Sequence, residues 1–206
     1  PSLRSVESAM TSRDGFTLVE LLLVGALAAL FLMLSAPPLL RGAGRARVRL
    51  AAAEVTAALR HARALAARHA THVAVRFETS DDGRIGYLIY RDGDGDGVRR
   101  DDIESGVDPL LVPRQELAHL GRGVGFGFAP GPAPRDPGDP RRRLDQLDDP
   151  IRFNRSDLAS FGPFGQATPG SVYLTDGVRH QAVVRVFGRT GRTHTLWYDP
   201  NAEQWR

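Results

Sequence analysis

The most chemically suggestive run in the 206 residues is Asp92-Gly93-Asp94-Gly95-Asp96-Gly97. Carboxylates at alternate positions can fold round a hard cation, and glycine at the sixth position allows the sharp turn of a D-x-D-x-D-G calcium loop. The second half departs from that pattern. Position twelve, which should carry a closing acidic residue, is Ile103, with Asp101 and Asp102 before it and Glu104 after it. The candidate ligands are therefore Asp92, Asp94, Asp96 and Asp102, and the candidate cofactor is a structural calcium ion that would rigidify the loop. A solvated Gly/Asp turn between strands accounts for the same residues without any ion.

Six histidines are the next group that could do chemistry. His61 and His69 are eight apart, not the four that would let one helix face share a metal. His72 follows them, and His119, His180 and His194 fall near turns and strand ends. No G-x-S-x-G, H-E-x-x-H or phosphate loop is present, and the absence of cysteine excludes thiol catalysis, disulfides and zinc-thiolate sites. No cofactor is required by any of these residues, and a non-enzymatic protein is expected. Arg179, Arg185, Arg189, Arg192 and Arg206, with His180 and His194, make the C-terminal stretch basic. Guanidinium groups there could hold phosphates bidentately, or could pair with Asp176, Asp199 and Glu203. All 27 basic residues are arginine against 24 carboxylates, and the net charge of +3 does not itself call for a nucleic-acid partner.

These residues must be positioned by three kinds of element. From Phe16 to Ala36 the only charge is Glu20, and about twenty apolar residues at about 1.5 Å each span a hydrocarbon core of about 30 Å. A single transmembrane helix over 16–36 is expected. The run is too long for a signal-peptide core, and Leu34-Ser35-Ala36 is a poor cleavage site. Glu20 is the anomaly, because a carboxylate inside a span costs roughly 2.5–3.5 kcal/mol and usually has a partner. Arg41, Arg45, Arg47 and Arg49 follow the span and would by charge alone hold that end inside. Pro37-Pro38 and Gly42-Ala43-Gly44 mark a place for the helix to kink or loosen. Over 37–69 it resumes as an amphipathic continuation: Val48, Ala52, Val55, Leu59, Ala62 and Ala66 form one apolar stripe, and Arg47, Glu54, Arg60 and Arg68 lie off it.

From Thr71 the period changes to two. Val73, Val75 and Phe77 alternate with polar residues, Asp81-Asp82-Gly83 supplies a turn, and Ile85, Tyr87 and Ile89 alternate again, which predicts a hairpin. Leu110–Val112 and Val124–Phe128 are further strand candidates. Pro130 to Pro150 holds almost nothing to bury and is expected to be a mobile loop. Order returns at Ile151-Arg152-Phe153, and three strands follow, from Ser171 to Thr175, Gln181 to Phe187, and Thr193 to Tyr198. The expected fold class is α+β: a long N-terminal helix packed on an antiparallel β-sheet domain spanning 70–206.

Two sets of motifs carry a family resemblance. A polar leader over residues 1–15 ends in Asp14-Gly15, followed by Phe16-Thr17-Leu18-Val19-Glu20 and the apolar run. This resembles the prepilin signature of type IV pilins and type II secretion pseudopilins. Further on, Phe161-Gly162-Pro163-Phe164-Gly165, Gly170–Leu174 and Val186-Phe187-Gly188-Arg189-Thr190-Gly191-Arg192 are similar to the minor pseudopilins of the GspH/FimT group. The resemblance implies a pseudopilin fold, cleavage by a membrane peptidase between Gly15 and Phe16, and N-methylation of Phe16. It implies that Glu20 neutralises the N-terminal amine of a neighbouring subunit during assembly. It places the helix in the inner membrane and the globular part in the periplasm. The implied partners are other pseudopilins in a filament, the prepilin peptidase and methyltransferase, and inner-membrane lipid. Some FimT-like minor pilins of type IV pili take up DNA through a C-terminal Gly-Arg-x-Arg motif. Here that place reads Gly191-Arg192-Thr193-His194, without the second arginine, so Arg189 and Arg192 are the candidate nucleic-acid residues of an alternative, DNA-binding reading.

Overall fold

The computed structural model describes residues 17–121, 123–154 and 156–206, and of residues 34–41 it describes the backbone only. Residues 1–16, with the expected leader, Gly15 and Phe16, lie outside the described residues. The chain divides after Arg41 into two compact units. Helix α1, Leu18–His69, is assigned through both without interruption at Pro37-Pro38, where the sequence allows a kink.

In the first unit the large apolar side chains from Leu18 to Met33 are exposed. Among the described residues no helix is long and apolar enough to cross a membrane. The expected span over 16–36 begins at Phe16 and ends in residues 34–36, which fall outside the described side chains.

The second unit, Gly42–Arg206, is α+β with antiparallel sheets. The expected helical stripe is the floor of its core: Val48, Ala52, Val55, Leu59, Ala62 and Ala66 are all at most 1 % exposed. Three of the six stripe positions, Ala52, Ala62 and Ala66, and the adjacent buried Ala51 are alanine, so strands can approach the helix backbone closely. The hairpin forms as expected, with β1 (Val73–Thr79) antiparallel to β2 (Ile85–Arg91) and Val75 opposite Ile89. A short helix α2 (Arg100–Ser105) separates β2 from β3 (Leu110–Glu116), which pairs with β2. The chain then adds β4 (Gly125–Phe126), β5 (Ile151–Arg152), β6 (Leu158–Phe161), β7 (Gly170–Thr175), β8 (Gln181–Val186), β9 (Thr193–Asp199) and β10 (Gln204–Trp205).

These strands make two sheets. One has the order β3-β2-β1-β6, and the other runs β10-β9-β8-β7-β4, with β5 also paired to β7. Both present their inner faces to α1, and one apolar cluster unites the helix stripe with Val75, Phe77, Phe153, Phe161, Val172 and Val184. Phe77 of the first sheet stacks on Phe153, with ring centroids 6.0 Å apart, and meets Phe126 edge-on at 5.7 Å. Those aromatic contacts join the two sheets beneath the helix. The outer faces are covered too: Ala74 and Leu158 by Val98, and Tyr173 and Val183 by Leu144.

Leu144 corrects one expectation. The 130–150 segment is tied down rather than loose. Leu144 is buried, its N–H donates to the Pro134 carbonyl at 2.8 Å, and residues 135 and 143 bridge. Arg185 Nη1 donates to the Pro137 carbonyl at 2.8 Å, and Trp205 Nε1 to that of Arg135 at 2.6 Å. Six prolines already restrict the segment's backbone, so a single apolar side chain and a few carbonyl contacts suffice to hold it.

Candidate functional sites

The acidic loop leaves β2 at Arg91. Asp92 is buried, and its carboxylate is spent on the loop itself: Oδ1 accepts the Gly95 N–H at 2.7 Å, and Oδ2 accepts the Gly97 N–H at 3.1 Å and the Thr71 hydroxyl at 3.2 Å. His72 Nδ1 lies 3.5 Å from Oδ2. Burial pushes the Asp92 carboxyl up, but the Gly95 and Gly97 N–H groups, Thr71 and His72 outweigh it and hold the group below the usual range. Gly97 takes φ +97, the left-handed turn that the sixth motif position demands.

Carboxylate oxygens of Asp92, Asp94 and Asp96 come within 4.8 Å of one another. Asp96 also pairs with Arg99, and loss of hydration together with the Asp94 and Asp102 charges raises its carboxyl, with Arg99 opposing. Three hard oxygen donors suit a hard divalent cation, yet calcium takes six to eight oxygens and all three of these carboxylates already have partners, Asp94 through the Asp96 N–H at 3.4 Å.

Asp102, expected as the fourth ligand, stands outside that group, on α2. The loop is closed instead by Asp108, which is buried and accepts the Gly93 N–H on Oδ1 and the Arg99 N–H on Oδ2, both at 3.0 Å. Asp108-Pro109 after Gly106 was the available signal, since aspartate before proline favours a turn with its carboxylate on nearby N–H groups.

The basic turn joins β8 to β9. Phe187 N–H donates to the Arg192 carbonyl at 3.0 Å, and Gly191 N–H to that of Phe187 at 2.8 Å. Gly191 has φ +56, and a Cβ there would lie 2.8 Å from the Gly165 carbonyl oxygen, so the position admits glycine alone without movement. Arg189 and Arg192 are exposed, and among the described residues no carboxylate lies within 4.0 Å of either guanidinium. The turn also brings in α1: Arg60 Nε donates to Thr193 Oγ1 at 3.2 Å, and Arg63 lies beside Gly191. That second pair of arginines was not anticipated, because only the fold brings residues 60–63 to residues 189–193. Of the expected carboxylate partners, Asp199 is taken by one arginine of the C-terminal group, Arg206, and, among the described residues, none by Arg189 or Arg192. Asp199 pairs with Arg206 at 3.3 Å, Glu203 with Arg143 at 2.7 Å, and Asp176 with His180.

Asp176 closes the β7–β8 turn. Its Oδ1 accepts the N–H groups of Val178, Arg179 and His180 at 2.8–3.0 Å, and Oδ2 meets His180 Nδ1 at 2.6 Å. Burial alone would raise this carboxyl. The Arg179 N–H, the His180 ring and the other two N–H groups prevail and bring it down to about 2.

The remaining histidines do not converge. His119 Nε2 meets Glu54 Oε2 at 3.1 Å, and Tyr87 donates to Glu54 Oε1 at 3.2 Å, a brace from α1 to β2. Burial, then the Glu54 charge and hydrogen bond, raise the Tyr87 phenol to about 12.

Glu20 has a partner within its own chain. The Thr17 N–H and hydroxyl both donate to Glu20 Oε2 at 3.0 Å, and the Glu20 N–H donates to Thr17 Oγ1 at 3.2 Å. This is a capping box at the start of α1, legible in the sequence as Thr17-Leu18-Val19-Glu20.

No family model matches the chain, and no curated protein or solved structure matches it either.

Proposed function

We propose that the protein is a structural filament subunit: a GspH-type minor pseudopilin of a type II secretion system, cleaved after Gly15, N-methylated at Phe16 and incorporated through its apolar helix. The observation that carries this reading is the first half of α1. Its large apolar side chains from Leu18 to Met33 are exposed among the described residues, and the only charge among them is Glu20. Such a surface needs lipid before assembly and neighbouring helices after it. The Thr17–Glu20 box adds to this, because it neutralises helix-start donors beside the new N-terminus while one Glu20 oxygen, Oε1, is free of those bonds to meet an amine. The β domain then stands in the periplasm, and the Asp92–Asp96 loop, with or without a calcium ion, stiffens it.

The test is the intact mass and N-terminal sequence of the membrane-extracted protein, with and without prepilin peptidase, for wild type and Gly15→Ala. The expected result is a methylated N-terminus at Phe16 that disappears in the variant. An uncut leader in the presence of active peptidase overturns the reading.

A second reading, a FimT-type minor pilin that binds DNA, is favoured by Arg189 and Arg192, exposed and without a carboxylate partner among the described residues, in a turn that Arg60 and Arg63 approach at Thr193 and Gly191. It predicts DNA binding whose affinity falls steeply with salt and falls further when Arg189 and Arg192 are replaced by glutamine. Salt-insensitive or absent binding removes it.

A further inference from the structure

The end of the β domain at which α1 enters carries a cluster of arginines. Arg45 and Arg179 line one groove there, and the Arg47 side chain lies against Gly121 on the neighbouring loop. All three are exposed, and among the described residues no carboxylate lies within 4.0 Å of their guanidinium groups. Two acidic residues are close, and both are already engaged. Asp199 lines the same groove but pairs with Arg206 at 3.3 Å. Asp176 serves three backbone N–H groups and the His180 ring. The positive charge of this end is therefore left without a carboxylate partner among the described residues.

The β7–β8 turn sets an apolar tip among these charges. Gly44 lets the turn lie against α1, since a Cβ there would come within 3.2 Å of His180 Nδ1. Asp176 clasps the turn from inside, and Val178 stands at its tip, 75 % exposed, with Arg179 next to it. Guanidinium groups on long stems around a short apolar tip fit the interface of a bilayer, where the tip sits at headgroup level and the charges meet phosphates. The chain brings that interface within reach. Arg45 is nine positions after Ala36, the end of the expected span, and nine positions of helix rise about 14 Å. The headgroup layer takes up roughly 5–7 Å of that, and what is left is about one Debye length at physiological salt. We propose that this end of the β domain binds anionic phospholipid, with Arg45, Arg47 and Arg179 on the headgroups and Val178 between them. The proposal rests on the filament-subunit reading for its membrane span and deepens it, naming the lipid chemistry that holds the subunit before assembly. It also gives Arg45 and Arg47, which charge counting alone would keep inside, a task on the far side of the membrane.

The absence of native cysteine lets a fluorophore be placed at will. The full-length chain with Val178→Cys is labelled and reconstituted in vesicles that contain a phosphatidylcholine spin-labelled at its headgroup, which quenches the fluorophore on contact. With about one-third phosphatidylglycerol in the vesicles, quenching is expected to exceed that in phosphatidylcholine alone about threefold, and to lose the excess in molar salt. Arg45→Gln with Arg179→Gln removes the excess at low salt, and an unfolding temperature within a few degrees of wild type shows that this variant folds. A fluorophore on Phe164→Cys, set beside Arg60 and Arg63 farther along α1, shows no such excess. Equal quenching in the two lipids, indifference to the double substitution, or the same excess at Phe164 overturns the proposal. An alkaline carbonate wash of membranes expressing the chain separates the two levels. A chain that is washed off has no membrane span, and the filament reading falls with the proposal. A chain that stays but ignores lipid charge overturns the proposal alone.

Discussion

Replacing Asp176 by asparagine should cost stability at neutral pH and almost nothing in strong acid. The carboxylate serves three backbone N–H groups and the His180 ring, and it lies against α1 at Gly44, where a Cβ would come within 3.2 Å of His180 Nδ1. Its folded pKa of about 2 is below the ordinary 3.8. The folded state therefore binds fewer protons than the unfolded state between those values. The stabilisation is complete above the unfolded pKa and is lost as pH falls through about 2. Just under two units at about 1.36 kcal/mol each would give roughly 2.5 kcal/mol, and partial solvent screening of the pair reduces that to about 1–2 kcal/mol. The asparagine oxygen still accepts the N–H groups, so the loss is the charge-assisted part. For a domain of this size that is a fall of about 3–6 °C in unfolding temperature at pH 7. The assay is thermal unfolding of the detergent-solubilised chain, followed by the fluorescence of Trp197 and Trp205, from pH 7 down to about pH 2.5. A wild-type-minus-variant gap that stays constant across that range, or is absent at pH 7, refutes the assignment of Asp176 as a charge-dependent clasp.

Leu59→Ala removes a fully buried side chain from the centre of the helix stripe and should destabilise by about 2–5 kcal/mol in the same unfolding assay. Gly191→Ala forces a Cβ towards the Gly165 carbonyl at positive φ and should cost about 1–3 kcal/mol, leaving the pH profile unchanged. If the acidic loop holds calcium, millimolar calcium should raise the unfolding temperature of wild type and not of an Asp94→Asn, Asp96→Asn double variant, and chelation should reverse the gain. Tyr87→Phe takes one hydrogen bond from Glu54 and should cost about 1 kcal/mol, measured by the same unfolding scan.

Regular periodicity made much of the globular fold legible. The stripe from Val48 to Ala66 and the hairpin around Asp82-Gly83 follow from spacing alone, because one face of each is buried and the pattern must match the element. The C-terminal strands were readable for the same reason, with bounds shifted by a residue or so. What escaped was whatever depends on a single residue or on distant pairing. Leu144 is one apolar side chain in a proline-rich stretch, too little for any period to register. The return of β6 to β1, the bond of Arg60 to Thr193 and the approach of Arg63 to Gly191 are set by the chain's route, which local pattern does not carry. In the acidic loop the motif placed Asp92, Asp94 and Asp96 together correctly. It misassigned the closing residue, because loop length and not residue type decides whether Asp102 or Asp108 folds back. The Glu20 capping box was legible all along in its spacing from Thr17, but a charge within an apolar run draws attention to distant partners before near ones.

The place of β6 in its sheet has a bearing on how the protein comes into being. Val73 pairs with Phe161 and Arg76 with Leu158, so the inner edge of the β1–β2–β3 sheet has no mate until nearly ninety further residues have been delivered. A chain synthesised from its N-terminus presents β1 with one edge open, half its backbone groups unsatisfied, until β6 is made. Timing, as much as final stability, then becomes a property under constraint. Whatever shields that edge in the interval, a chaperone or simply a fast supply of the remaining chain, decides how many chains reach the folded state and how many stick to one another on the way.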